Sequence, residues 1–536
     1  MKNVLALLLL FATTSIVAQN VNIRNGASFK IGRFEFIDDV LSVNPDGSST
    51  VLLKAGLFGT KYRVLNLNAD LNEESKFEIE IPKIENKKVK PFWATQLKES
   101  VYFMSRYWDR KSKTYTLFAS ELDPKNGKFK AHTPVINLTD DKFRSWNNPF
   151  SATRSIDSSK VLFLTRYPTK LKENARYNMK VVNSDLSEIW SKDIEFTEED
   201  RWFTMEDILV DKNGNVHFVA GVMMSRDEKK EKDAASRFQK EIYSYYHESG
   251  ELKHYEVGFQ NEIIQSINMS LNDDNELVGT GFYSEKKFWG QGYTGFFYLR
   301  IDPNSKKIVA SNISPFSEEL KAELIGGWRA KRGKDIPKYA VRKVIPLDNG
   351  KMGVVAEHYV YTKNTYTDSK GNTHTTESWL YGNTIVMFID ETGKMQTAAV
   401  LKKRQYCTAK DGGASLFQKM GIGMTPGVNE LPYYGIAVME VDNNIYILYN
   451  ENPKNEIRVK DGKNPKSVRQ RTAVTNLVTF TPDGKMMTNT LFKAKDRDAG
   501  YKMPVMPRSS FQYSNNDMII FGRKKKNLRV LGLTIN

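Results

Sequence analysis

DKNGNVHFVAG (211–221) is a polar turn of Asp, Asn and Gly that runs directly into an apolar strand. The same device stands at NPDGSSTVLLKAG (44–56), LKESVYFMSRY (97–107), DSSKVLFLTRY (157–167), NDDNELVGTGFY (272–283), LDNGKMGVVAEHY (347–359), VDNNIYILYNE (441–451) and SNNDMIIFGRK (514–524). In all but the last unit a second polar turn follows, at NADLNEESKFEIEI (68–81), DPKNGKFKA (123–131), NSDLSEIW (183–190), HESGELKHYEV (247–257), DPNSKKIVA (302–310), DETGKMQTAAV (390–400) and TPDGKMMTNTL (481–491). Two hairpins per unit make four antiparallel strands, and a recurrence of roughly 50 to 90 residues marks a radial array of such units. The fold expected is an all-β propeller of about eight four-stranded blades, with seven as the alternative count.

The last unit stops early. SSFQYS, DMIIFGRK and NLRVLGLTIN supply three strands before the chain ends, so a fourth must come from elsewhere. The N-terminal run SFKIGRFEF (28–36) can supply it by pairing with 527–535, which closes the ring and removes two exposed sheet edges.

Residues 1–18 combine Lys2, an apolar run from Val4 to Ala12 and small residues up to Ala18, the pattern of a cleaved secretory signal. Residues 19–536 are then a single propeller domain, expected in the periplasm, with an extracellular location as the alternative. Cys407 is the one cysteine of the 536 residues, so packing rather than disulfides must hold the exported chain together. The formal net charge is +16. Export argues against nucleic acid as the counterpart and toward acidic protein surfaces or anionic head groups; the competing reading is a basic surface without a partner.

Strand alternation assigns faces. If the strands of a blade are a to d, every recurrent turn lies on one face, and the b–c loops and d–a connections lie on the other. The long insertions all fall on that second face: 225–240, 284–292, 316–338, 362–378, 405–432 and 452–471. Loops of that length in a compact domain usually carry function. SEELKAELIGGWRAK (317–331) reads as a short helix ending near Gly326, with Leu320 and Leu324 packing it down. Trp328 reads as a packing anchor, with a ligand platform as the alternative. In 412–428, apolar residues spaced among glycines read either as an adaptable contact surface or as a loop folded over the channel. The candidate partner-binding residues are Trp328, Arg329, Lys331, Arg332, Phe417, Met420, Ile422, Met424, Arg523, Lys524, Lys525 and Lys526.

Catalytic signatures do not assemble from this sequence. The histidines 132, 217, 247, 254, 358 and 374 show no metal-ligand spacing, and with one cysteine no zinc motif forms. No G-x-S-x-G, phosphate-binding loop or H-E-x-x-H occurs. The rival to a binding protein is a glycosidase, which needs paired carboxylates about 5 to 10 Å apart. RYP (166–168) is similar to the Arg-x-Pro motif of sialidases, but the companion repeat of that family is missing and the turn aspartates read as structural.

The Lys-Asn signal sequence ending VAQ, the Lys and Asn richness and the DKNGN or DNGK turns resemble exported proteins of the Bacteroidota. A large basic propeller of this kind resembles the plug subunits that cap the periplasmic mouth of the type 9 secretion translocon. The resemblance rests on style rather than on a motif and transfers no site residues. It implies a non-enzymatic interaction subunit, monomeric before docking and without a cofactor, that meets an acidic envelope protein; an exported carbohydrate-active hydrolase or glycan-binding propeller is the alternative.

Overall fold

The computed structural model describes residues 21–32, 35–55, 61–81, 83–84, 86–98, 100–144, 148–170, 172–223, 238–258, 262–285, 292–409, 433–469, 472–493, 505–524 and 526–536. Eight antiparallel sheets follow one another: blade 1 (36–79), blade 2 (90–139), blade 3 (150–199), blade 4 (203–256), blade 5 (262–315), blade 6 (339–401), blade 7 (437–493) and blade 8, built from 511–535 and 21–25. The first seven run in sequence order from strand a to strand d. All eight first turns and all seven second turns named above sit at hairpin tips.

Turn chemistry explains why these tips recur. In the first hairpin of blade 4, Asp211 Oδ1 accepts from the backbone N–H of Asn213 (2.9 Å) and Asn215 (2.8 Å). Asp390 does the same for Thr392 (3.0 Å) and Lys394 (2.9 Å). Gly393 between them holds φ +87°, and a Cβ there would lie 2.2 Å from the Tyr298 ring. Asp211 and Asp390 are therefore used as local backbone acceptors that shape their turns.

The b and c strands are apolar on both sides, as in VLFLT (161–165), because each blade is covered on both faces by its neighbours. Eight buried apolar clusters each join one blade to the next. Seven of them lead from blade 1 to blade 8, and in the remaining one Phe521 and Val530 of blade 8 pack on Val51 and Leu65 of blade 1.

The fourth strand of blade 8 lies further upstream than the sequence suggests. Val21–Asn25 pairs with the C-terminal strand, Val21 opposite Ile535 and Asn25 opposite Leu531. Only Phe29 and Lys30 of the expected run continue that ladder, opposite Leu528 and Asn527. Phe36 already belongs to strand a of blade 1. The alternation that marked 28–36 is real, since Ile31 and Glu35 are buried, but it seats the crossing between two blades rather than a strand.

Candidate interaction face

The insertion 316–338 forms two short helices, α1 (Glu318–Ile325) and α2 (Gly327–Lys331). Ser317 Oγ caps α1 by accepting from Leu320 N (3.2 Å), with Glu318 and Glu319 in the first turn. Gly326, at φ +89°, ends the helix as expected. Leu320 is buried, and with Leu324 it packs on the cluster between blades 5 and 6.

Trp328 corrects its packing-anchor reading. It is 66 % exposed, and the Arg332 guanidinium stacks 3.8 Å from its ring centre. The short α2 begins immediately after Gly326 and turns this side chain away from the cluster that holds Leu320. Arg329, Lys331 and Arg332 are exposed beside it.

The hairpin 523–526 belongs to blade 8, on another part of the ring. Lys524 and Lys526 are exposed. Arg523 is not a free docking cation: it donates to the carbonyls of Glu35 and Gly32 and lies over the Phe36 ring, tying the N-terminal crossing to blade 8. Phe417, Met420, Ile422, Met424 and Lys525 lie outside the described residues, as do insertion residues 225–237 and 286–291.

Insertion 362–378 is not a loop. Met352–Thr367 and Thr373–Ile389 run on as one long hairpin, and Gln405–Ala409 adds a further strand against Glu377–Tyr381. Cys407 on that added strand is buried, which pushes its thiol up to about 11.

Insertion 452–471 carries helix α3 (Asn455–Lys460). Asn455, 1 % exposed, pins it: Nδ2 donates to Glu451 Oε1 (2.6 Å) and Lys466 O (2.8 Å), while Oδ1 accepts from Lys466 N (2.7 Å). Glu451 also accepts from Asn452 N (2.7 Å) and the Tyr449 hydroxyl (3.2 Å). Burial outweighs these hydrogen bonds and raises its carboxyl from 4.5 to about 7.

A pH dependence follows. The folded chain holds a proton on Glu451 between about 4.5 and 7 where the unfolded chain has released it. The stability from this proton is therefore full below about 4.5 and is lost as pH rises through 7. At about 1.4 kcal/mol per unit, the loss should reach roughly 2–4 kcal/mol by pH 8. Chemical denaturation of Glu451→Gln should show this slope flattened; an unchanged slope would refute the assignment.

Two clefts open around α3. One, of about 1510 Å³, lies between blades 6 and 7 and is lined by Lys402, Lys454, Lys460, Lys466, Arg469 and Lys493. The other, of about 750 Å³, lies between α1, α3 and blade 6 and is lined by Arg329, Lys402, Lys403, Arg404 and Lys463. They share Glu323, Lys402 and Val459. The structure thus joins Arg329 to a basic region built by 452–471 and the edge of blade 6. The lysine density of 452–471 was the available signal.

Beneath the clefts, Glu357 is fully buried and held by Lys403 Nζ (2.5 Å) and Arg342 Nη2 (2.8 Å). The other acids are also tied: Glu323 meets Lys402 at 3.6 Å and Glu456 meets Lys460 at 3.1 Å. Blade 4 contains a Ser-His-Asp set, with Ser244 Oγ and His217 Nδ1 sharing a 2.8 Å hydrogen bond and Asp211 Oδ2 standing 3.6 Å from His217 Nε2. All three are at most 1 % exposed, so the serine faces core rather than substrate. Among the described residues no group of three or more His, Cys, Asp or Glu could hold a metal.

No protein-family model matches the sequence, and no curated protein is significantly similar to it. Among solved structures the fold is similar to the Dos1 propeller, with TM-score 0.40 and 7 % identity over 95 % of this chain and 94 % of that one. It is also similar to Porphyromonas gingivalis dipeptidyl peptidase 4, with TM-score 0.41 and 11 % identity, covering 94 % of this chain but 60 % of that enzyme. A Bacteroides caccae protein of unknown function gives TM-score 0.26 and 12 % identity, over 65 % of this chain and 93 % of that one. No described helix is long and apolar enough to cross a membrane.

Proposed function

We propose that this is a non-enzymatic docking subunit of a bacterial envelope, exported by cleavage after Ala18 into the periplasm. Its insertion face meets an acidic partner, with the periplasmic side of an outer-membrane type 9 translocon as the setting. One observation carries the reading: the two clefts beside α3 gather cations from two insertions, the blade 6 edge and the outer strand of blade 7, while Glu323 and Glu456, their exposed acids, are paired to lysines. The exposed Trp328 and Ile457 add apolar contact area beside that charge.

Reversing Arg329, Lys331, Arg332 and Lys463 together should slow association and flatten its salt dependence. Trp328→Ala should mainly speed dissociation, by about 1–2 kcal/mol. Affinity capture from envelope extracts with the wild-type chain tests the reading directly. Failure to retrieve any outer-membrane protein, or retrieval unaltered by both variants, would end it.

The hydrolase reading has one observation in its favour. Asp38 and Asp39 stand on strand a of blade 1, both reaching solvent, and partial desolvation with the neighbouring Asp38 charge raises the Asp39 carboxyl beside a cavity of about 220 Å³ that Arg154 also lines. Hydrolysis of glycan or peptide substrates that disappears in Asp39→Asn would establish it in place of the docking role.

A further inference from the structure

We infer that the cleft between blades 6 and 7 is a binding groove for an extended acidic peptide segment of the partner. This rests on the docking reading and gives it a place and a chemistry. The volume, about 1510 Å³, exceeds the roughly 300–1,000 Å³ of pockets built for small molecules. Its origin is the radial geometry: the blades pack closely through strands a to c and splay toward strand d, and the folded insertion 452–469 walls the wedge on one side.

The lining is cationic on balance. Lys402, Lys454, Lys460, Lys466, Arg469 and Lys493 face Glu323, Glu451 and Glu456. Glu323 and Glu456 are matched by Lys402 and Lys460. Glu451 is buried under the groove with its oxygens occupied by Asn452, Asn455 and Tyr449. Lys454, Lys466, Arg469 and Lys493 are exposed and form no ion pair among the described residues. Four cations left without carboxylates along one groove complement a ligand carrying several negative charges.

The floor selects a peptide over a simple polyanion. The outer strand of blade 7, Met486–Lys493, turns Met486, Thr488 and Thr490 into the groove, and Val400 and Leu401 of blade 6 line it opposite. Met486 is 47 % exposed and Tyr406 44 %, so the groove offers apolar surface between its charges. An extended chain alternating acidic and aliphatic side chains satisfies both, since successive residues point to opposite sides. A sulfated or phosphorylated saccharide would satisfy the lysines alone.

The experiment uses the full mature chain and a fluorescein-labelled decapeptide alternating Glu with Leu and Val, followed by fluorescence polarisation. Wild type should bind it with an affinity that falls as salt rises. The variant Lys454→Glu, Lys466→Glu, Arg469→Glu, Lys493→Glu should bind about tenfold more weakly or worse. These side chains are exposed, and an unchanged melting temperature verifies the fold. As a second readout, Thr488→Cys labelled with an environment-sensitive dye should change emission on peptide addition; Cys407 is buried and leaves the label selective. The inference is overturned if wild type does not bind the peptide, if the fourfold variant binds it equally, if a lysine-for-glutamate peptide binds as well, or if a sulfated oligosaccharide displaces it at lower concentration. Envelope capture separates the two levels: a fourfold variant that retrieves the wild-type partner undiminished sinks the groove and leaves the docking face standing, whereas no partner for wild type sinks the docking face itself.

Discussion

A chain lacking residues 527–536 will fail to fold cooperatively. That segment is the third strand of blade 8, hydrogen-bonded to Asp517–Lys524 on one side and to Val21–Asn25 and Phe29–Lys30 on the other. It buries Leu528, Val530, Leu531, Leu533 and Ile535, each at most 1 % exposed. At about 1.5–3 kcal/mol per fully buried aliphatic side chain, their loss removes roughly 8–15 kcal/mol, comparable to the whole stability of a domain. Two clusters fail together, because these residues face both blade 7 and blade 1. The edge strand left behind would then be open to pairing with other chains. Size-exclusion chromatography and thermal unfolding should show aggregate with no sharp transition. A monomeric truncated protein with an unchanged Tm would remove the basis for closure. Removing only residues 21–25 should cost less, since Val21 and Ile23 are half-buried, but should leave the edge of the C-terminal strand open and promote association.

Glu357→Ala should be the most damaging single substitution among the buried ionic residues, destabilising by roughly 3–5 kcal/mol. Burial alone would raise the Glu357 carboxyl, but Lys403 and Arg342 override it and hold the group below its usual range. Burial lowers the Lys403 ammonium despite Glu357. The asymmetry has a simple cause: the carboxylate has two cations at contact distance, and Lys403 has one carboxylate at contact distance plus the repulsion of Arg342. Deleting Glu357 therefore leaves two cations packed together in low dielectric. A depressed carboxyl adds stability above its unfolded pKa and loses it as pH falls through the folded value, so this contribution fades in acid. The combination Glu357→Leu with Lys403→Met should recover part of the loss, because it removes two of the three charges and leaves only Arg342, which reaches solvent, without its carboxylate. Denaturant unfolding of the two single variants and the double variant measures the coupling. Additive losses would refute the network.

The repeated turns were legible because their physics is local. An Asp that accepts backbone N–H groups two and four residues on, followed by Gly at positive φ, is written in five consecutive residues. The count of eight blades, the position of every hairpin tip, the α1 stop at Gly326 and the structural role of the turn aspartates all follow from such local signals. The closing strand was legible only in part, because VNIRN (21–25) carries too short an alternation to stand out and the better alternating run at 28–36 serves a crossing instead.

What remained was decided by contacts between residues distant in sequence. Trp328 is exposed because α2 starts where α1 ends and points away from the blade 5–6 cluster. Arg523 is consumed by carbonyls nearly 500 residues earlier in the chain. The Glu357–Lys403 pair spans 46 residues, and the groove between blades 6 and 7 exists only because an insertion from blade 7 folds back over a wedge whose other wall belongs to blade 6. Periodicity and turn propensity specify each hairpin from its own residues. Which charges meet, and which are left facing solvent, depends on how the blades are set against one another, and no local pattern encodes that.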